Sequence, residues 1–312
     1  MTTTDHASSL SSDSSAVPAA PAALAAALDG PLVSTQWLAD HLGAEGLVVL
    51  DATVVPAQGA DGRPVYRTGL DRFTEEGHLP GSVFADLLES FSDPAARFPF
   101  TRPDADAFAA AAASVGVSAE TTVVVYDAAV GQWASRLWYL FRAFGHDRVA
   151  VLDGGAVKWT AEGRPLDRGH SGVVTAAGDR SAVPLTAVER DGFWAGTADV
   201  AAIVDGSRTG TLVCGTPPRD FAARHIPGSV SAPAVRLVDR ESNAVLPVDA
   251  LRTIFADVLS APGPIVSYCG AGIAAAADAL ALAVLGRTDV LLYDGSLSEW
   301  TADPDAPLAS AA

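Results

Sequence analysis

Hydrophobic positions in this chain gather in short continuous runs separated by glycine, proline and small polar residues. "LVVLD" (Leu47 to Asp51), "TVVVYD" (Thr122 to Asp127) and "RVAVLD" (Arg148 to Asp153) are apolar and β-branched, the pattern of strands buried on both faces. Between the last two, "WASRLWYLFRAFG" predicts a helix packed on a sheet, with Gly145 ending it. The second half alternates in the same way: "TLVCG", "PIVSYC" and "DVLLYD" read as strands, and Ala274 to Leu285 as a helix. Buried strands joined by helices predict an α/β fold, each sheet mostly parallel and flanked by helices.

Three motifs recur in order. "HLPGSV" (His78 to Val83) returns 147 residues on as "HIPGSV" (His225 to Val230). "VVVYD", ending at Asp127, returns 142 residues on as "IVSYC", ending at Cys269. "VLDGGAVKW", ending at Trp159, returns 141 residues on as "LYDGSLSEW", ending at Trp300. Near-constant spacing of ordered motifs indicates two copies of one fold. The expected organisation is a disordered tail over 1–27, an N-terminal domain over 28–168, a linker over 169–185 with the boundary near Asp179, and a C-terminal domain over 186–312. His78 and His225 are expected to be structural parts of the two turns, and Trp159 and Trp300 to close the two cores.

Composition narrows the partners. A chain of 312 residues with 49% hydrophobic content supplies real cores, and a formal charge of -17 opposes non-specific attraction to nucleic acid or anionic lipid. The N-terminus lacks the features of a secretory signal, and no apolar run reaches membrane-span length, so a soluble cytoplasmic protein is expected, with no nucleic-acid or membrane partner. Its two cysteines, Cys214 and Cys269, are too few for a disulfide framework and lack metal-site spacing.

Cys269 stands where a strand ends and Gly270-Ala271-Gly272 turns the chain toward a helix, the place where open α/β sheets hold ligands. The glycines let successive amide N–H groups turn inward, and the following helix adds its positive end. A thiol there is expected to act as a nucleophile, and buried packing is the plain alternative. A cysteine phosphatase needs an arginine six positions on, where this chain has Ala275, so phosphatase chemistry is excluded. The first copy has Asp127 in place of Cys269, which makes one domain reactive and the other catalytically silent. Cys214 is expected to be packed in the core, with a resolving thiol for oxidised Cys269 as the alternative.

From about Val33 to Pro307 the chain resembles the two-domain rhodanese family, the thiosulfate and 3-mercaptopyruvate sulfurtransferases, on the paired His-Pro-Gly turns, the "YCGAG" loop and the closing "YDGSLSEW". The resemblance implies tandem rhodanese-like domains and a sulfur-carrying Cys269. It implies a loop of Gly270, Ala271, Gly272, Ile273 and Ala274 around a persulfide, with neither an organic cofactor nor a metal. A small anionic donor would load the sulfur, and cyanide, a thiol or a sulfur-accepting protein would remove it. The chain departs from the family pattern at Ala271 and Ala274, where mercaptopyruvate enzymes carry hydroxyls. Ala271 also leaves incomplete the triad that the resemblance would draw through His78. A further departure is Cys214-Gly215-Thr216, where the family has Asp-Ala/Ser-Arg. Candidate replacements for the missing substrate clamp are Arg219, Arg224, Arg63 and Arg67. The alternative reading is a catalytically weak sulfur-binding or protein-interaction module.

Overall fold

The computed structural model describes residues 21–26, 28–59, 62, 64–169 and 183–311. The first half runs α1 (Pro21–Ala26), β1 (Leu32–Val33), α2 (Thr35–His41), β2 (Leu47–Asp51), β3 (Val54–Gln58), β4 (Pro64–Thr68), α3 (Leu70–Glu75), β5 (Val83–Phe84), α4 (Ala105–Ser114), β6 (Thr122–Tyr126), α5 (Gln132–Ala143), β7 (Val149–Leu152) and α6 (Gly155–Ala161). The second runs β8 (Trp194–Ala195), α7 (Thr197–Val204), β9 (Thr211–Cys214), α8 (Pro218–Ala223), β10 (Val230–Ser231), α9 (Val248–Ile254), α10 (Ala256–Ser260), β11 (Ile265–Tyr268), α11 (Ala274–Val284), β12 (Val290–Tyr293) and α12 (Ser296–Trp300).

Two parallel sheets result, in the orders β1-β7-β6-β2-β5 and β8-β12-β11-β9-β10. The two orders are the same topology, so the repeat read from the motifs is a repeat of fold. Among the described residues, only the first copy adds an antiparallel hairpin, β3 with β4.

The repetition extends to single hydrogen bonds. Tyr126 Oη accepts from Leu79 N (3.1 Å) and meets Ser82 Oγ (2.9 Å), while Tyr268 Oη accepts from Ile226 N (2.9 Å) and meets Ser229 Oγ (2.7 Å). The His78 ring stacks on Phe73 and its Nδ1 donates to the Phe73 carbonyl (2.8 Å); His225 does the same with Phe221 (2.9 Å). Trp159 and Trp300, both buried, donate to the carbonyls of Pro165 (2.8 Å) and Pro307 (3.0 Å). Both histidines and both tryptophans are therefore structural.

α5 and α11 pack against each other between the sheets and unite one face of each in a common core. A helix apolar all round belongs in such a place, and alanine allows close approach at no cost in helix propensity. That explains the alanine-rich α11, buried from Ala275 to Ala283. On α5, Trp138 and Phe141 are buried in the same core, Phe141 against Phe91 and Phe108 of the first half, and burying such a side chain is worth roughly 1.5–3 kcal/mol. The outer face of each sheet has its own smaller core.

Each half also reaches into the other. Arg102 N, on the segment between β5 and α4, donates to Asp294 Oδ2 (2.9 Å), and Val245 N, between β10 and α9, donates to Asp153 Oδ1 (2.7 Å). These are matching aspartates of the two Asp-Gly motifs, so the crossover is reciprocal.

One expectation is corrected. The loose tail does not extend to residue 27, because Pro21–Ala26 is helical and Leu24 is fully buried. Residues 1–20 and the centre of the linker, with the boundary near Asp179, lie outside the described residues. At the linker's end, Val183 O accepts from Ala119 N (3.0 Å), holding it against the first half.

Candidate active site

Cys269 follows β11, a central strand flanked by β9 and β12, and lies at the carboxyl edge of the second sheet. Its residue exposure is 4%, and it opens onto a cleft between the halves of about 1160 Å³. The loop after it needs Gly272, whose φ is +76° and whose added Cβ would stand 2.7 Å from the Asp294 carbonyl oxygen.

The loop is clamped from behind by the start of α12. Ser296 Oγ donates to the Tyr293 carbonyl (2.8 Å) and accepts from Cys269 N and Gly272 N, both at 3.0 Å. Ser298 donates twice to the Gly270 carbonyl, from N (3.0 Å) and Oγ (2.8 Å). Ser296 holds φ at +51°, a left-handed conformation costly for a residue with a Cβ, kept here by three hydrogen bonds. This corrects the expectation that successive loop amides all turn inward, since those of Cys269 and Gly272 point back to Ser296. Among the described residues no protein acceptor takes the N–H groups of Gly270, Ala271, Ile273, Ala274 or Ala275. Ile273 is the N-cap of α11 and Ala274 and Ala275 begin it, so the helix's positive end adds to these three.

The equivalent loop of the first half shows what such amides bind. Asp127 Oδ1 accepts from Ala129 N (2.8 Å) and Gly131 N (3.0 Å), and Oδ2 from Trp133 N (2.9 Å) and Ala134 N (3.0 Å). Burial pushes this carboxyl above its ordinary pKa, and the four amides oppose that rise. The first loop thus closes on its own side chain.

Of the candidate arginines among the described residues, only Arg224 lines the cleft with Cys269. Arg219 lies on α8 and is not among the cleft residues, Arg67 faces a separate groove with Asp71 and Glu76, and Arg63 lies outside the described residues. Gly270, Ala271, Ile273 and Ala274 line the cleft; Gly272 does not. Thr216, where the family has arginine, lines it too, beside Glu89, Asp93 and Asp220.

Cys214 is fully buried, its Sγ 3.1 Å from Thr216 Oγ1, and burial pushes its thiol above the usual range. It belongs to the outer core while Cys269 belongs to the inner one, and both are unpaired. Opposite sides of one sheet are poor ground for a disulfide, so the resolving-thiol alternative lacks geometric support.

Two buried ionisable side chains behind the loop find their partners only in the fold. Arg136, on α5 of the first half, donates through Nη2 to Asp294 Oδ1 (2.7 Å) and the Phe100 carbonyl (2.8 Å), with Nη1 3.5 Å from the Gly272 carbonyl. Asp278, on α11, accepts from Ser267 Oγ (3.1 Å), and burial raises its pKa well above the ordinary carboxyl value. They occupy the same position of the repeat, 142 residues apart. On α11 the sequence signal was a single charge within an otherwise apolar helix, whereas on α5 Arg136 shares the helix with Arg142.

The Rhodanese-like domain family matches residues 34–162 and 196–303. The chain belongs to the rhodanese family. Human 3-mercaptopyruvate sulfurtransferase is 35% identical over 86% of this chain and 91% of its own length. The mitochondrial thiosulfate/3-mercaptopyruvate sulfurtransferase 1 of Arabidopsis thaliana is 31% identical over 90% of this chain and 78% of its length. The crystal structure of SseA from Escherichia coli, a 3-mercaptopyruvate sulfotransferase, superposes with a TM-score of 0.74 at 29% identity, covering 86% of this chain and 98% of SseA. The two halves are tandem rhodanese-like domains, and sulfurtransferase chemistry is the family-level activity. Among the described residues, no helix is long and apolar enough to cross a membrane.

Proposed function

We propose that this chain is a ping-pong sulfurtransferase in which Cys269 carries the sulfur and the N-terminal domain is silent. The observation that carries the reading is the contrast between the loops: one set of amides is closed on Asp127, the other is open around a cysteine. Cys269 thiolate attacks the donor's sulfur and forms an S–S bond. The donor's bond to that sulfur breaks and its electron pair leaves with pyruvate enolate, which takes a proton, or with sulfite. The persulfide anion is stabilised by the open amides and the N-terminus of α11. An acceptor then attacks the outer sulfur and Cys269 returns as thiolate. The transferred atom rides on the cysteine, so the cycle needs no metal or organic cofactor, and two unpaired cysteines suit a cytoplasmic setting.

Between the two donors, charge favours the monoanion. Glu89, Asp93 and Asp220 face the cleft against Arg224, which disfavours the doubly charged thiosulfate relative to 3-mercaptopyruvate. With cyanide as acceptor, kcat/KM for 3-mercaptopyruvate is expected to exceed that for thiosulfate at least ~10-fold, equivalent to about 1.4 kcal/mol. A reversed preference contradicts the donor assignment, and activity surviving in Cys269→Ser contradicts the mechanism.

A further inference from the structure

The cleft has a second wall that loading a small donor does not require. Opposite the loop stand Tyr66, Phe100 and Trp133 of the N-terminal domain, with Leu88, Pro94 and Pro99 beside them. Tyr66 comes from the β3–β4 hairpin, which has no counterpart among the described residues of the second copy, and it is 52% exposed. Its ring stands edge-on to Phe100 (5.5 Å) and Trp133 (5.4 Å), which are themselves buried and 5.5 Å apart. Tyr66 is therefore held by its neighbours while keeping open ring surface. Apolar walls with a few polar groups characterise pockets for organic ligands, and such pockets measure about 300–1,000 Å³. A cleft of about 1160 Å³ leaves room for an organic molecule well beyond a donor of a few heavy atoms.

On the sulfurtransferase reading above, we infer that this wall is the acceptor subsite, and that the acceptor is a small organic thiol with an aromatic or extended apolar body and no net negative charge. The body rests on Tyr66, Phe100 and Trp133, which directs the thiol toward Cys269. Glu89, Asp93 and Asp220 disfavour anionic acceptors. The acceptor thiolate attacks the outer sulfur, its new S–S bond replaces the bond to Cys269 Sγ, and that electron pair stays with Cys269. One sulfane sulfur changes carrier, and no external oxidant or reductant takes part.

Three thiols test the inference against persulfide-loaded enzyme: 2-phenylethanethiol, 2-mercaptoethanol and mercaptosuccinate. The first is expected to react with a kcat/KM roughly tenfold above the second, and the third to be slowest. Tyr66→Ala reduces the preference for the first over the second about fivefold, and Tyr66→Phe retains it. Equal reactivity of all three, or an unaltered preference in Tyr66→Ala, overturns the inference. Titration with 2-phenylethanol, which cannot accept sulfur, reads the subsite separately by tryptophan fluorescence. Saturable binding weakened by Tyr66→Ala supports the subsite even where no persulfide forms, an outcome that would sink the functional reading alone. Absence of saturable binding by an enzyme that loads sulfur sinks the subsite alone.

Discussion

Asp278 is a buried carboxyl behind the Cys269 loop with one hydroxyl for company. Ser267 Oγ lies at its Oδ2, and among the described residues its Oδ1 has no hydrogen-bond partner. Burial raises its folded pKa well above the ordinary value, while the unfolded chain titrates near the usual ~3.9. The stability attached to Asp278 is therefore fully present below about pH 4 and lost as pH rises toward the raised folded pKa. Asp278→Asn keeps a partner for Ser267 and does not ionise, so it should gain stability over the parent increasingly from pH 4 to 8. Urea unfolding of both proteins across that range checks the slope. A deficit in the variant that is constant with pH would contradict it. Neither Asp278 nor Arg136 has a part legible in the sequence, because a charge within a helix does not disclose its partner on a distant segment. Cys269 was legible as a candidate at once, since strand, cysteine and glycine-bearing turn are consecutive.

The loop and the first turn of α12 work as a unit, and Ser296 is the joint between them. Removing its hydroxyl leaves two amides without their acceptor, at a cost of about 1–3 kcal/mol, whereas glycine also relieves the left-handed backbone, worth about 1–2 kcal/mol. The expected order of thermal midpoints is parent, then Ser296→Gly, then Ser296→Ala, with Cys269 alkylated faster in both variants as the loop loosens. Alanine equal to or above glycine in the melt would contradict this account of strain. The sequence placed strands β2, β6, β7, β9, β11 and β12 and helices α5 and α11 within a residue or so, because their apolar runs are bounded by glycine or aspartate. It did not disclose that Ser296 turns two loop amides backward. That depends on a φ of +51°, which serine rarely adopts and which sequence reasoning assigns to glycine.

At the scale of the whole molecule, the N-terminal domain helps hold the Cys269 loop of the C-terminal one. Arg136 crosses from the first half to Asp294 and the Gly272 carbonyl, and Arg102 joins the same aspartate. Breaking a buried pair by removing one partner costs about 3–5 kcal/mol, because the other charge stays behind. A double-mutant cycle with Arg136→Met and Asp294→Asn should return a coupling of roughly 2 kcal/mol or more in thermal or urea unfolding. Additivity within ~0.5 kcal/mol would mean that the two act independently. The repeat made two domains readable from motif spacing, yet it could not show that each domain's crossover segment reaches the other, since no local pattern encodes a contact between distant segments. For the same reason the sequence does not distinguish Arg219, on α8, from Arg224, the extended residue just after it, of which only the second lines the cleft. The central claim is that Cys269 carries a sulfur, and intact mass spectrometry of reduced protein after separate exposure to 3-mercaptopyruvate and thiosulfate tests it most directly. The account predicts an added mass of about 32 units, one sulfur atom, greater with 3-mercaptopyruvate and absent in Cys269→Ser. No adduct with either donor, or an adduct that persists in Cys269→Ser, would contradict it.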